Sequence, residues 1–251
     1  TSTNSSIGLI YALKKIFILD FIKDTMKNLL IIIPARGGSL RVKSKNTRKF
    51  FNTSLLSLKI QKCLKIKSSE LIVSTDSNKV ISICKKNKVN FFLRSKKYSG
   101  SKATMISAVL LLWRDFNAAN NLTLPLYIAI LPSTYPFVKK TSIIKALNLL
   151  IKNKNLNSIC SYSESLLHPY DFVEVKKNME FNKIKINNKG QLSFERTQDF
   201  PMVKVLSGAI RITKTEYFLK LMKNKSPLFP KTVQDVKSCI GLKISKKEAF
   251  D

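Results

Sequence analysis

Two adjacent glycines, Gly37 and Gly38, follow directly on the apolar run at residues 29–33, in a chain with seven glycines altogether. A glycine pair lets the backbone turn with positive φ. It also lets main-chain N–H groups approach an anion with no Cβ in the way. Arg36, Arg41, Lys43 and Lys45 crowd the same stretch. Backbone donors ringed by fixed positive charge form a cradle suited to a triphosphate. No Gly-Lys-Ser/Thr follows, so this is not a Walker loop. An ordinary strand-to-helix turn would use the same glycines, and the glycines alone do not separate the two.

Other chemistry is sparse. The four cysteines, Cys63, Cys84, Cys160 and Cys239, are widely scattered, and His168 is the single histidine. No two cysteines approach a C-x-x-C spacing. Neither a Cys/His metal site nor a disulfide framework is expected, which fits a reduced, cytoplasmic compartment. His168, just before Pro169, reads as a turn residue, and Trp113 with Leu110 and Leu112 reads as core. The acidic residues number 15, and no two of them are spaced i, i+2.

The elements that must position the cradle can be read along the chain. Residues 29–33 form a continuous apolar run, the mark of a strand covered on both faces. Strands are also expected at 71–75, 89–93, 126–131 and 158–162, and helices at 54–67, 79–88, 103–116 and 141–151. After Tyr162 short alternating pieces at 172–176, 183–186 and 191–194 suggest an antiparallel excursion. A strand at 208–212 and a helix at 215–223 then resume the pattern. Strands alternating with helices predict an α/β domain with a mostly parallel, Rossmann-like sheet and helices on both faces. Ligands of such sheets bind beyond the carboxyl ends of the strands. The expected organisation is one domain over residues 26–251, with a β-rich insertion at 163–195.

Residues 1–25 read in two ways: as an extension outside the domain that starts at Met26, or as an amphipathic helix carrying Ile10, Leu13, Phe17 and Phe21. With 251 residues, 44% of them apolar, the chain can bury a sizeable core. Lys and Arg total 45 against 15 acidic residues, a formal net charge of +30. That suits a polyanionic partner. It equally suits the lysine-rich surface of a chain from an AT-rich genome. No run reaches the ~18 apolar residues of a membrane span, so no membrane partner is expected. No exposed stripe interleaves aromatic with basic residues, so nucleic acid is not an expected partner either.

Pro34-Ala35-Arg36-Gly37-Gly38-Ser39-x-Arg41, followed by Lys45-Asn46, resembles the signature loop of the acylneuraminate cytidylyltransferases. These enzymes make CMP-sugars from CTP and a nonulosonic acid. Four further segments resemble the family in order: Leu71-Ile72-Val73-Ser74-Thr75-Asp76, Phe92-Leu93-Arg94-Ser95, Leu131-Pro132-Ser133-Thr134-Tyr135-Pro136-Phe137, and Arg196-Thr197-Gln198-Asp199-Phe200-Pro201 with Ser207-Gly208-Ala209-Ile210. The fourth-strand loop is more similar to the pseudaminic-acid branch than to the neuraminate branch.

The resemblance implies a fold of the nucleotide-diphospho-sugar transferase type and a CTP-dependent activation of a nonulosonic acid that releases pyrophosphate. It implies Arg36 and Arg41 as clamps on phosphate oxygens. Ala35, Gly37, Gly38, Ser39, Lys45, Asn46, Asp76 and Arg94 would hold the nucleotide. Ser133, Thr134, Arg196, Gln198, Asp199, Ser207 and Gly208 would face the sugar. It implies Mg2+ as cofactor and a homodimer joined through the excursion at 163–195. The chain departs from the family at Leu40, where a lysine is usual, at Ser101 in place of an aspartate, and at Lys243 and Ser245, which replace the metal-binding Asp-x-Asp. These departures leave the metal ligands unassigned. They keep a second reading open, a degenerate member that binds nucleotide or another polyanion without turnover.

Overall fold

The first strand explains most of the fold. β1 (Leu29–Pro34) is apolar along its length because it lies in the interior of the sheet, with its side chains buried on both faces. It pairs in parallel with β4 (Ser69–Thr75) on one side and β6 (Tyr127–Ile130) on the other. The computed structural model describes residues 29–38, 42–67, 69–94, 125–165, 173–175, 181–183, 203–223 and 239–249, with backbone alone at 173–175, 181–183 and 221–223. The expected helix at 103–116 and the stretch at 191–194 lie outside the described residues, as do residues 1–25.

β5 (Asn90–Leu93) extends the sheet in parallel beyond β4. On the far side of β6 the chain inserts β10 (Lys204–Lys214), antiparallel to both β6 and β7 (Ser158–Glu164). β11 (Cys239–Lys243) closes the edge in parallel with β7. The seven-stranded order is β11-β7-β10-β6-β1-β4-β5, mostly parallel as expected. The order reverses at β1, which places a switch-point crevice between β1 and β6 at their carboxyl ends. Two short ribbons accompany the sheet. One joins β2 (Lys49–Phe50) to β3 (Thr53–Ser54), and the other joins β8 (Val173–Val175) to β9 (Phe181–Lys183). The second ribbon is the described part of the antiparallel excursion.

Helices α1 (Leu55–Leu64), α2 (Asn78–Lys86) and α3 (Lys140–Lys152) supply Leu56, Ile60, Val80, Ile143 and Leu147 to a core that includes Ile31, Ile33, Val73, Ala129 and Ile212. The alternate residues Leu30, Ile32, Ile72 and Ile128 point to the opposite face and are buried as well. α4 (Thr215–Lys223) packs on β6 and β10. A short α5 (Lys246–Ala249) follows β11.

α2 stops two residues short of the sequence expectation. The N–H of Lys88 donates to Lys85 O and that of Val89 to Cys84 O, at 3.1 Å each, while Lys88 takes φ 52°. That is a Schellman ending with lysine where glycine usually stands. Sequence reading missed β2, β3, β11 and α5.

Candidate functional site

The described part of the candidate site is built on the loops leaving β1, β4, β5 and β6, whose carboxyl ends share one edge of the sheet. Ala35 extends the ladder past β1, its N–H donating to Ser74 O at 2.9 Å. Arg94 does the same past β5, its N–H donating to Thr75 O at 2.7 Å. Arg36, Gly37, Asp76 and Arg94 therefore converge on one corner.

At that corner the Gly37 N–H donates to Asp76 Oδ1 at 2.7 Å. The sequence assigned this amide to an anion; the structure commits it to Asp76. No described glycine has positive φ. The glycine at 37 answers a close approach instead, since a Cβ there would stand 2.8 Å from Ser77 Cβ. Gly38 is exposed, and a Cβ on it would meet nothing within 4 Å.

The Arg94 side chain is 5% exposed, with Nη2 4.0 Å from Asp76 Oδ1. Among the described residues neither its Nε nor its Nη2 has a hydrogen-bond partner. Burial lowers its pKa, the Asp76 charge works against that, and the charge of Arg36 lowers it further. A buried guanidinium with idle donors and a second arginine nearby is an arrangement that an anion would complete.

The loop after β6 forms the other wall. Ser133 Oγ donates to Asn46 Oδ1 at 2.7 Å, and Asn46 Nδ2 donates to Arg36 O at 2.9 Å. Asn46 is itself buried. It ties the loops that flank the switch point and has both ends of its amide occupied by protein. Lys45 is half-buried on the same turn, and Thr134 half-buried beside Ser133.

Ser207 is buried; its Oγ accepts the Ala209 N–H at 3.2 Å, and its carbonyl accepts the Ser161 hydroxyl at 3.1 Å. These bonds sit at the irregularity between Leu206 and Arg211 in the β10–β7 ladder. Gly208 N–H donates to the Tyr135 hydroxyl at 3.3 Å, and a Cβ at 208 would stand 2.9 Å from that oxygen. Ser39, Arg41, Arg196, Gln198 and Asp199 lie outside the described residues.

Two residues that the sequence reading passed over belong to this wall. Arg211 reaches toward Gly208, with Nη2 3.1 Å from the position of a Cβ there. Burial brings its pKa down to about 10, against the charges of Cys160 and Tyr135. Lys59, buried in α1, donates from Nζ to Tyr135 O at 2.8 Å. Each had a signal in the sequence: an arginine inside the apolar strand at 208–212, and a lysine on the apolar stripe of a helix.

The carboxylates of this edge were tested against a hard cation, which needs several free oxygens. Asp76 Oδ1 accepts the Gly37 N–H at 2.7 Å and lies 4.0 Å from Arg94 Nη2. Glu164 is taken by Lys243 Nζ at 2.7 Å and Lys204 at 4.0 Å. Glu248 accepts from the Lys139 N–H, the Ser142 hydroxyl and Ser245. Lys243 thus stands in an ion pair, and Ser245 helps to start α5. Among the described residues no cluster of His, Cys, Asp and Glu could hold a metal ion. The described residues do not fit a protein-held Mg2+.

Comparison with known proteins relates the chain to a family and its fold to solved structures. A family model described as Cytidylyltransferase matches residues 30–220. The chain is 24% identical to the N-acylneuraminate cytidylyltransferase of Escherichia coli over 76% of its own length, and spans 43% of that protein. It is 26% identical to the post-translational flagellin modification protein B of Campylobacter coli, over 78% of this chain and 81% of that one.

Among solved structures, a CMP:2-keto-3-deoxy-manno-octonic acid synthetase complexed with CTP is similar at TM-score 0.59 and 11% identity, over 86% of this chain and 90% of that one. A 4-diphosphocytidyl-2C-methyl-D-erythritol synthase of Anaerococcus prevotii gives TM-score 0.55 at 14% identity, covering 89% and 91%. A cytidylyltransferase of Leptospira borgpetersenii gives TM-score 0.53 at 17% identity, covering 86% and 76%. At these identities the structures speak for the fold.

Proposed function

The chain belongs to the cytidylyltransferase family, and from that premise we propose that it activates a nonulosonic acid with CTP, giving the CMP-sugar and pyrophosphate. The observation that carries the reading is Arg94: a guanidinium buried at the carboxyl edge, beside Arg36, whose Nε and Nη2 have no hydrogen-bond partner among the described residues. A nucleotide phosphate supplies the missing acceptor. The resemblance to sugar-acid cytidylyltransferases, spread over five segments in order, supports the substrate class.

In this reading the anomeric hydroxyl of the acid attacks the α-phosphorus of CTP and loses its proton, while the bond to the β-phosphate breaks. Such transfers depend on positioning and on charge stabilisation. Arg36 and Arg41 hold phosphate oxygens, and the exposed backbone at Gly38 receives the triphosphate, with Ser39 beside it in sequence. The β6 loop with Ser133 and Thr134, and the β10 segment around Gly208, receive the acid. Its carboxylate calls for a cation, with Arg196 and Arg211 as the candidates. Val205 and Leu206, both exposed on β10, suit a homodimer contact continuous with the excursion at 163–195.

A second reading, nucleotide binding without turnover, is favoured by the carboxylates of the edge. Each described one meets a protein donor or cation through at least one oxygen, and the resemblance puts Lys243 and Ser245 in place of the family's metal-binding Asp-x-Asp.

The test is pyrophosphate release with CTP and a panel of nonulosonic acids, with UTP as the control nucleotide. Release that requires both CTP and one of the acids supports the first reading. CTP binding with no release across the panel supports the second. Absence of CTP binding contradicts both.

A further inference from the structure

Helix α1 carries a charged residue on its core stripe. Leu56, Lys59, Ile60 and Cys63 are all buried, and Lys59 is 1% exposed. A side chain in that position has every reason to be apolar, because an ammonium withdrawn from water is costly. Lys59 Nζ meets the carbonyl of Tyr135 at 2.8 Å, and Lys62 Nζ meets the next carbonyl, that of Pro136, at 2.7 Å. Both reach the loop after β6 from below, 76 and 74 residues away in sequence.

That loop is connected in two directions. Ser133 holds Asn46, and Asn46 holds the carbonyl of Arg36. The Tyr135 hydroxyl holds the Gly208 amide. A shift of Tyr135 would therefore be felt at both walls of the crevice.

We propose that Lys59 is a positioning residue: from inside the core it sets the height of the 132–136 loop, and through Ser133–Asn46 and Tyr135–Gly208 it holds the two walls in register. The functional part of this inference rests on the nucleotide-site reading above; the loop-holding part does not. Lys62 is partly exposed and shares the loop, so it cannot replace the inner contact. Among the described residues the titratable groups acting on Lys59 are Cys63 and Lys62 on its own helix; the loop meets it through the Tyr135 carbonyl, and Glu248 of α5 acts on Lys62. A charged donor holds a carbonyl more strongly than a neutral amine does.

The experiment compares Lys59→Met with the unmodified protein by hydrogen exchange, CTP titration and thermal midpoint. Faster exchange confined to the amides of residues 133–138 is expected, with CTP affinity about tenfold weaker, as small misplacements of a site give, and no fall in midpoint. The pH profile adds a readout that a purely structural residue would not move. CTP affinity of the unmodified protein should decline as pH rises past about 8, and the Lys59→Met profile should be flat there.

Unchanged loop exchange in Lys59→Met overturns the inference. So does a lowered midpoint with exchange raised evenly over the sheet. Faster loop exchange with unchanged CTP affinity overturns the functional part. If the unmodified protein binds no CTP, the nucleotide reading fails, and loop exchange still decides whether Lys59 holds the loop. If Lys59→Met does not fold, Lys59→Gln takes its place in the same exchange measurement: faster exchange confined to residues 133–138 supports the inference, and unchanged loop exchange overturns it.

Discussion

The Ser133 hydroxyl donates to Asn46 Oδ1 at 2.7 Å across 87 residues of sequence, and so joins the loop after β6 to the loop after β1. Asn46→Ala would leave both Ser133 Oγ and Arg36 O without this partner in a buried setting. The expected cost is about 2–3 kcal/mol of stability, with CTP affinity falling as well. Ser133→Ala removes one bond and should cost about 1 kcal/mol. Denaturant unfolding of both variants checks this; equal, negligible losses would mean that the bridge does not bear on the fold.

Burial brings the Lys59 pKa down from 10.5 to about 8. The unfolded chain therefore holds this proton more tightly than the folded one. The penalty is present in full below pH about 8 and disappears as pH rises toward 10.5. It amounts to about 3 kcal/mol at neutral pH. Lys59→Met removes that penalty and forfeits a hydrogen bond from a charged donor, worth about 2 kcal/mol. The variant should be the more stable protein at neutral pH and lose that advantage near pH 10.5. A variant less stable at neutral pH would show that the ammonium is better solvated than its 1% exposure implies.

Lys88 is exposed and holds φ 52° at the end of α2. A residue with a Cβ resists this left-handed conformation by about 1–2 kcal/mol, and glycine does not. Lys88→Gly should raise the thermal midpoint by a few degrees, about 2–4 °C per kcal/mol in a chain of this size. An unchanged or lower midpoint would contradict this account of the turn.

Much of the sheet was legible because its physics is local. β1 and β4 read as strands since burial on both faces demands an unbroken apolar run. β11 did not, because Cys239-Ile240-Gly241-Leu242-Lys243 is a half-exposed edge strand with a glycine in it. That glycine lies under the Tyr162 ring, where a Cβ would stand 2.6 Å from a ring carbon. The arginines and glycines of the candidate site were legible as types, and their commitments were not. Nothing near Gly37 in sequence announces that its amide belongs to Asp76, 39 residues on. Lys59 looked like one more surface lysine in a chain with 45 basic residues. Only its spacing from Leu56, Ile60 and Cys63 marked it as buried.

Arg36 leaves β1 beside the exposed Gly38, and its charge reaches Arg94. It is expected to meet the outer phosphates. Arg36→Ala should weaken CTP binding on the order of tenfold or more, the loss of a charged hydrogen bond, and CMP binding much less. Titration with both nucleotides checks the placement; equal losses would assign Arg36 elsewhere.

The central claim is that the idle donors of Arg94 await a nucleotide phosphate, and CTP titration of Arg94→Met against the unmodified protein tests it most directly. The account predicts saturable CTP binding by the unmodified protein, weakened on the order of 10- to 100-fold in the variant, as expected for a hydrogen-bonded charge. The folded midpoint should move little, since among the described residues Nε and Nη2 make no hydrogen bond, and Asp76, 4.0 Å away, keeps the Gly37 amide as its donor. CTP affinity equal in the two proteins would contradict the account.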